Sequence, residues 1–138
     1  MQVDFYILGE AGAEARAHFA CRLAEKAYRG AFGVTILAGD SAAAAQLDDM
    51  LWSFRQGSFV PHALAREADD TDAVVIAWGS DVPRRDVLVN LTDAIPPDWQ
   101  GFERVAEIVT ADDETRRPAR ARFRSYRDAG VTPTNHTL

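Results

Sequence analysis

The chain carries one cysteine, Cys21, and one lysine, Lys26, among 138 residues. A single thiol excludes an internal disulfide and supplies no cysteine metal cluster, and a reducing cytoplasm is the simplest expected setting. No apolar run approaches the ~20 residues of a membrane-spanning helix. The residues after Met1 lack the basic region and long apolar block of a secretory signal. Internal repeats and low-complexity linkers are also missing.

What is present suits one α/β domain over residues 1–138. Hydrophobic residues make up 47% and charged residues 26%, ordinary for a globular chain long enough to bury a core. The net charge of −6 speaks weakly against a surface devoted to nucleic acid. Its distribution says more. Residues 1–115 hold 9 basic and 20 acidic groups, whereas residues 116–138 hold 6 arginines and 1 aspartate. An acidic body with a basic end invites an acidic partner at that end.

Val3–Leu8 reads as a strand stopped by Gly9, and Ala13–Arg29 as a helix with Phe19, Leu23 and Ala27 on one face and Gly30 as its stop. Val34–Ala38 is a second buried strand, and Ser41 is a fair N-cap for an alanine-rich helix. This alternation predicts a three-layer α/β/α fold with a mostly parallel sheet. Ala63–Asp72 reads as a mostly exposed connection. Ala73–Trp78, Asp86–Leu91 and Arg104–Val109 are strands, with a turn-rich link at Pro96–Trp99. Asp112–Ala129 is a final helix closed by Gly130, and residues 131–138 are expected to form a loose tail.

Two stretches stand out. In the first, Leu47, Met50, Leu51 and Phe54 recur at helical spacing, and Arg55-Gln56-Gly57 supplies a stop. Ser58-Phe59-Val60 then reads as extended, because Pro61 biases Val60 away from the helical region. So much aromatic and apolar surface in so short a span suggests that some of it faces a partner. In the second, Arg116, Arg120, Arg124, Arg127 and Arg117 fall within a helical stripe roughly 100° wide. Phe123 borders it, and Ala119 and Tyr126 face the core. Like charges four apart weaken a helix slightly. The combination fits an acidic peptide with an apolar end, since arginine grips carboxylates in bidentate fashion.

No catalytic constellation emerges. Gly9-Glu10-Ala11-Gly12 sits where a phosphate loop would, but it lacks the Gly-Lys-Ser/Thr ending, and Glu10 would repel phosphate. His18, His62 and His136 have no partner at metal-ligand spacing. Asp48-Asp49 and Asp69-Asp70 are explained equally well by capping and solvation. No cofactor and no metal are expected. Two other functional classes compete with an adaptor role. One is a small nucleotide- or coenzyme-binding enzyme using the carboxyl edge of the sheet. The other is direct binding of single-stranded DNA by the arginine helix, with Phe123 stacking on a base.

Five blocks, in order and with matching spacing, resemble the chi subunit of bacterial DNA polymerase III. They are Leu47-Asp48 with Leu51-Trp52, Ser58–His62, Ile76-Ala77-Trp78, Arg84–Leu91 and Arg120–Gly130. The resemblance implies a Rossmann-like fold without a phosphate loop, and a non-catalytic accessory subunit of the clamp-loader assembly. It implies that the last helix binds the C-terminal tail of the single-stranded-DNA-binding protein, a short acidic peptide ending in Pro-Phe, so that DNA is contacted indirectly. Arg116 and Arg120 match the family's basic residues there, Val109 an apolar contact, and Arg124 and Arg127 complete the stripe. Phe123 stands where the enterobacterial pattern has tyrosine, which keeps the ring and loses the hydroxyl. Pro118 is a second departure, and it implies a helix starting later, with Arg116 in a less regular segment. A second surface at Trp52, Phe59, Val60 and Pro61 is implied to dock the small psi subunit, or a competing helicase related to the XPD group.

Overall fold

The computed structural model describes residues 1–53 and 59–138. The chain runs β1 (Gln2–Ile7), α1 (Ala13–Arg29), β2 (Val34–Ala38), α2 (Ser41–Ser53), β3 (His62–Leu64), β4 (Val74–Trp78), β5 (Val87–Asn90), β6 (Arg104–Val109), α3 (Asp113–Asp128) and β7 (Thr134–Thr137). The strands form one sheet in the order β3-β4-β2-β5-β6-β1-β7, and every neighbouring pair is parallel.

The order of the strands explains the layers. From β1 through β2 to β3 the chain moves toward one edge of the sheet, and from β3 onward it moves back. Right-handed crossovers travelling in opposite directions lie on opposite faces. Accordingly α1 and α2 share one face, where Ala20, Cys21, Ala24, Ala44, Leu47 and Leu51 pack on Val34, Ile36, Val74, Ile76, Val89 and Ile108. The other face is covered by α3 together with irregular connections. Ala65, Val82, Ile95, Trp99 and Phe102 come from those connections and join Ala119 and Tyr126 over Val3, Phe5, Leu37, Leu88 and Val105.

Helix α1 and strands β2 and β6 have the boundaries expected from the sequence. Four other expectations are corrected. Residues 131–138 are not a loose tail: α3 ends in Gly130 at φ 94°, with Gly130 N–H bonded to Arg127 O and Val131 N–H to Tyr126 O. This αL closure turns the chain back along the sheet, and β7 pairs with β1. The connection after Pro61 contains β3, a short edge strand on β4. Asp40, not Ser41, caps α2, its Oδ1 accepting the Ala43 N–H at 2.8 Å. Pro118 does not delay α3, which includes Arg116. Its first turn is fastened instead by Asp112, whose carboxylate accepts from Thr110 Oγ1, Thr115 Oγ1 and the Gly12 N–H. These bonds, led by that from Thr110, hold the Asp112 carboxyl far below the usual carboxylate range. The stop Arg55-Gln56-Gly57, with Phe54 and Ser58, lies outside the described residues.

One buried polar cluster joins α3 to the sheet. Glu107 on β6 is fully buried and accepts from Tyr126 Oη at 2.7 Å, Arg122 Nε at 3.1 Å and Asn90 Nδ2 at 3.1 Å. Burial pushes its carboxyl above the ordinary 4.5, opposed by Arg122 and by the bonds from Tyr126 and Asn90. Both terminal nitrogens of Arg122 are enclosed without an acceptor among the described residues.

Breaking a buried pair from one side strands a charge and costs about 3–5 kcal/mol, whereas an apolar replacement of both can be neutral. Arg122→Met should therefore lower stability by about that amount near pH 7, and adding Glu107→Gln should recover most of the loss. The raised carboxyl fixes the sign of the pH dependence. Its contribution is complete below the unfolded-state value and is lost as pH rises through the folded-state value. The advantage of wild type over Glu107→Gln in urea unfolding should accordingly shrink as pH rises above the ordinary carboxyl value of 4.5.

Candidate functional site

The arginine stripe lies on the outer side of α3, because Thr115, Ala119, Arg122 and Tyr126 take the inner side. Arg117, Arg120, Arg124 and Arg127 are exposed. Arg116 is half-buried, and its Nε donates to the Thr110 carbonyl at 3.3 Å. Phe123 is half-buried beside Phe5, with ring centroids 5.3 Å apart. Val109 is buried, at 4% exposure, in the cluster that includes Phe5 and Ala119 and against which Phe123 packs. The structure thus brings Arg116, Arg120, Phe123, Arg124 and Arg127 onto one face and puts Val109 beneath.

Trp52 and Phe59 sit beside β3, an edge strand of the sheet. Trp52 and Phe59 are 59% and 61% exposed, and their rings lie 5.5 Å apart. His62 supports them from below: its ring meets Trp52 edge-on at 4.8 Å, its Nδ1 lies 2.7 Å from the Val60 carbonyl, and its Nε2 lies 3.4 Å from Asp48 Oδ1. Pro61 is half-buried. Val60 is buried, at 1% exposure, among Leu47, Leu51 and Ile76. Alternation along the extended segment sends Phe59 outward and Val60 inward.

A cleft of about 1090 Å³ opens between α1, α2 and the start of α3, beyond the carboxyl ends of the strands. In doubly wound sheets this is the position of nucleotide sites. Its chemistry here is different. Glu14, Asp93, Asp112, Asp113 and Glu114 line it, and the Gly12 N–H, which a phosphate loop would offer to an anion, donates to Asp112. Among the described residues Arg16 is the one cation in the lining, and its guanidinium is spread over the carbonyls of Ile108, Leu91 and Thr92 at 2.9–3.1 Å. Among the described residues no group of three or more His, Cys, Asp or Glu is placed to hold a metal ion. Burial pushes the Cys21 thiol up to about 12, which removes it as a nucleophile at neutral pH.

Sequence reasoning missed Arg16, Glu107 and Arg122. Arg122 carries a detectable signal: it is the one arginine of 116–127 that falls outside the stripe, between Ala119 and Tyr126. Glu107 carries a matching one as an acid among the apolar residues 105–109.

The family described as DNA polymerase III chi subunit, HolC, matches residues 1–134. The chain is 42% identical to DNA polymerase III subunit chi of Pseudomonas aeruginosa, over 99% of this chain and 96% of that protein. It is 33% identical to DNA polymerase III subunit chi of Haemophilus influenzae, over 92% and 90%, and 34% identical to that of Escherichia coli, over 86% and 83%.

The contrast between Phe59 and Val60 is measurable without any partner. Phe59→Ala and Trp52→Ala should each change unfolding free energy by less than about 1 kcal/mol, because their rings are already largely in water. Val60→Ala should cost about 2 kcal/mol from lost burial and a residual cavity. Chemical denaturation of the three variants checks the ranking.

Proposed function

Because the chain belongs to the DNA polymerase III chi subunit family, we propose that it is a non-catalytic adaptor joining the polymerase's clamp-loader assembly to the single-stranded-DNA-binding protein in the cytoplasm. The observation that carries this reading is that Trp52 with Phe59 and the α3 arginines, groups of opposite character, are carried on opposite faces of one sheet. Four inter-strand spacings separate β3 from β6, the strand on which α3 packs, about 19 Å at ~4.8 Å each. Trp52 and Phe59 stand beside β3 on the face that α2 covers, and the arginines of α3 stand on the other face. Two partners can therefore be held at once without touching.

At the apolar end, the Trp52–Phe59 pair with Pro61 suits an amphipathic segment that buries both rings, as interface hot spots do. The psi subunit is the proposed occupant, with an XPD-like helicase as a competitor for the same rings. At the basic end, the arginines suit the acidic tail of the single-stranded-DNA-binding protein, whose terminal Phe would lie on Phe123. The acidic lining of the carboxyl-edge cleft and the engaged Gly12 N–H support a role without nucleotide chemistry. The overall charge of −6 supports indirect rather than direct contact with DNA.

Calorimetric titration with an acidic peptide ending in Pro-Phe tests the basic end. The intact peptide should bind, Arg120→Glu should remove binding, and salt should weaken it progressively as exposed pairs are screened. A peptide lacking the terminal Phe should bind at least about tenfold more weakly, the value of one buried ring edge at ~1.4 kcal/mol. Equal affinity for the truncated peptide would reduce the stripe to a basic patch, and tighter binding of an oligonucleotide would assign it to DNA. In a clamp-loader pull-down, Phe59→Ala should lose the assembly while keeping the peptide.

A further inference from the structure

Resting on the acidic-tail reading above, we propose that β7 is a docking strand. The tail adds to it as an eighth strand, so that main-chain hydrogen bonds to Asn135 and Thr137 hold the peptide while the α3 arginines take its carboxylates. Strand β7 is the last of the sheet and pairs with β1. The Leu138 N–H donates to the Ile7 carbonyl at 3.0 Å, which sets the phase of the ladder. Residues 134, 136 and 138 turn their backbone groups toward β1, and Asn135 and Thr137 turn theirs to the open edge.

The side chains follow the same alternation. Asn135 is in register with Phe5, and Thr137 with Ile7, so both lie on the face that α3 covers. His136 goes to the other face, where it stacks on Tyr6 at 4.9 Å. Of the two residues with outward backbone groups, Asn135 is therefore in register with the Phe5 of the Phe5–Phe123 contact. Around the helix, Arg116, Arg127 and Arg120 follow Phe123 within about 60°, on the side away from Tyr126 and Arg122. They lie beyond Phe123 around the helix, away from the contacts of Arg122 and Tyr126 with β6.

Thr134, Asn135 and Thr137 are exposed. Edges that must stay unpaired are commonly blunted by lysine, proline or an inward charge, and Thr134-Asn135-His136-Thr137 has none of the three. Charge selects the occupant. Residues 116–138 carry 6 arginines against 1 aspartate, which favours an acidic extended segment. A second copy pairing through β7 would bring two arginine stripes together on one face, a repulsive arrangement.

The test separates main-chain from side-chain recognition. The Asn135 N–H points away from β1, so Asn135→Pro removes an edge donor and leaves the β1–β7 bonds intact. It should leave the melting temperature unchanged and weaken the acidic Pro-Phe peptide about fivefold to tenfold, the effect of losing one hydrogen bond. Asn135→Ala should bind within about twofold of wild type. With the unaltered protein, peptides N-methylated at successive residues should lose affinity at every second position. If Arg120→Glu abolishes binding while Asn135→Pro and every N-methylated peptide bind like their parents, the docking strand is wrong and the acidic-tail reading stands. If the unmodified peptide does not bind at all, both fail. If the chain alone dimerises and Asn135→Pro separates the copies, the edge belongs to a second copy and the proposal falls.

Discussion

The buried carboxylate of Glu107 is the contact on which the functional layout depends. A helix laid on a sheet by apolar contacts alone can rotate or slide at modest cost. Three donors converging on one enclosed acid cannot all be kept if α3 turns. Arg122 and Tyr126 must point inward to meet Glu107, and at 100° per residue that requirement sends Arg116, Arg120, Arg124 and Arg127 outward. A buried ion pair adds little net stability compared with apolar packing. Here it sets the orientation of the helix, and with it the direction in which the positive charge faces.

The sheet imposes a second constraint. An all-parallel sheet must be covered on both faces, yet only three helices of more than one turn are present among the described residues. Two of them share a face. The connections after β3, β4 and β5 supply the missing cover through Ala65, Val82, Ile95, Trp99 and Phe102, and Trp99 packs edge-on against Tyr126 at 4.9 Å. These segments look like exposed loops in the sequence, because turn residues separate their apolar side chains without any period. Their role as a layer follows from the strand order alone.

The two surfaces differ in how much of them could be read from residues. The arginine stripe was legible because helical spacing is a local property, and the same spacing predicted Ala119 and Tyr126 on the inner face. Exposure at Trp52 and Phe59 was legible because one helix and one extended piece cannot bury so many rings. Val60 and Val109 were not separable from surface residues in that way: a valine beside a contact residue is as apolar in the core as outside it. Strand β7 was invisible for the opposite reason. Thr134-Asn135-His136-Thr137 has neither apolar alternation nor a buried face.

By itself, the sequence determined the α/β class, the boundaries of α1, β2 and β6, the absence of a phosphate-loop pattern and the family. Each of these is written in periodicity or in short motifs. Tertiary structure decided the rest: that every strand is parallel, that residues after Gly130 become a strand, and that Glu107 and Arg122 meet inside. It also decided that Trp52 with Phe59 and the α3 arginines stand on opposite faces of the sheet. The physical reason is that local spacing fixes which face a side chain takes on its own element. Which element lies next to it depends on hydrogen-bonding edges and charges left unpaired by distant parts of the chain, and only the folded sheet brings these together.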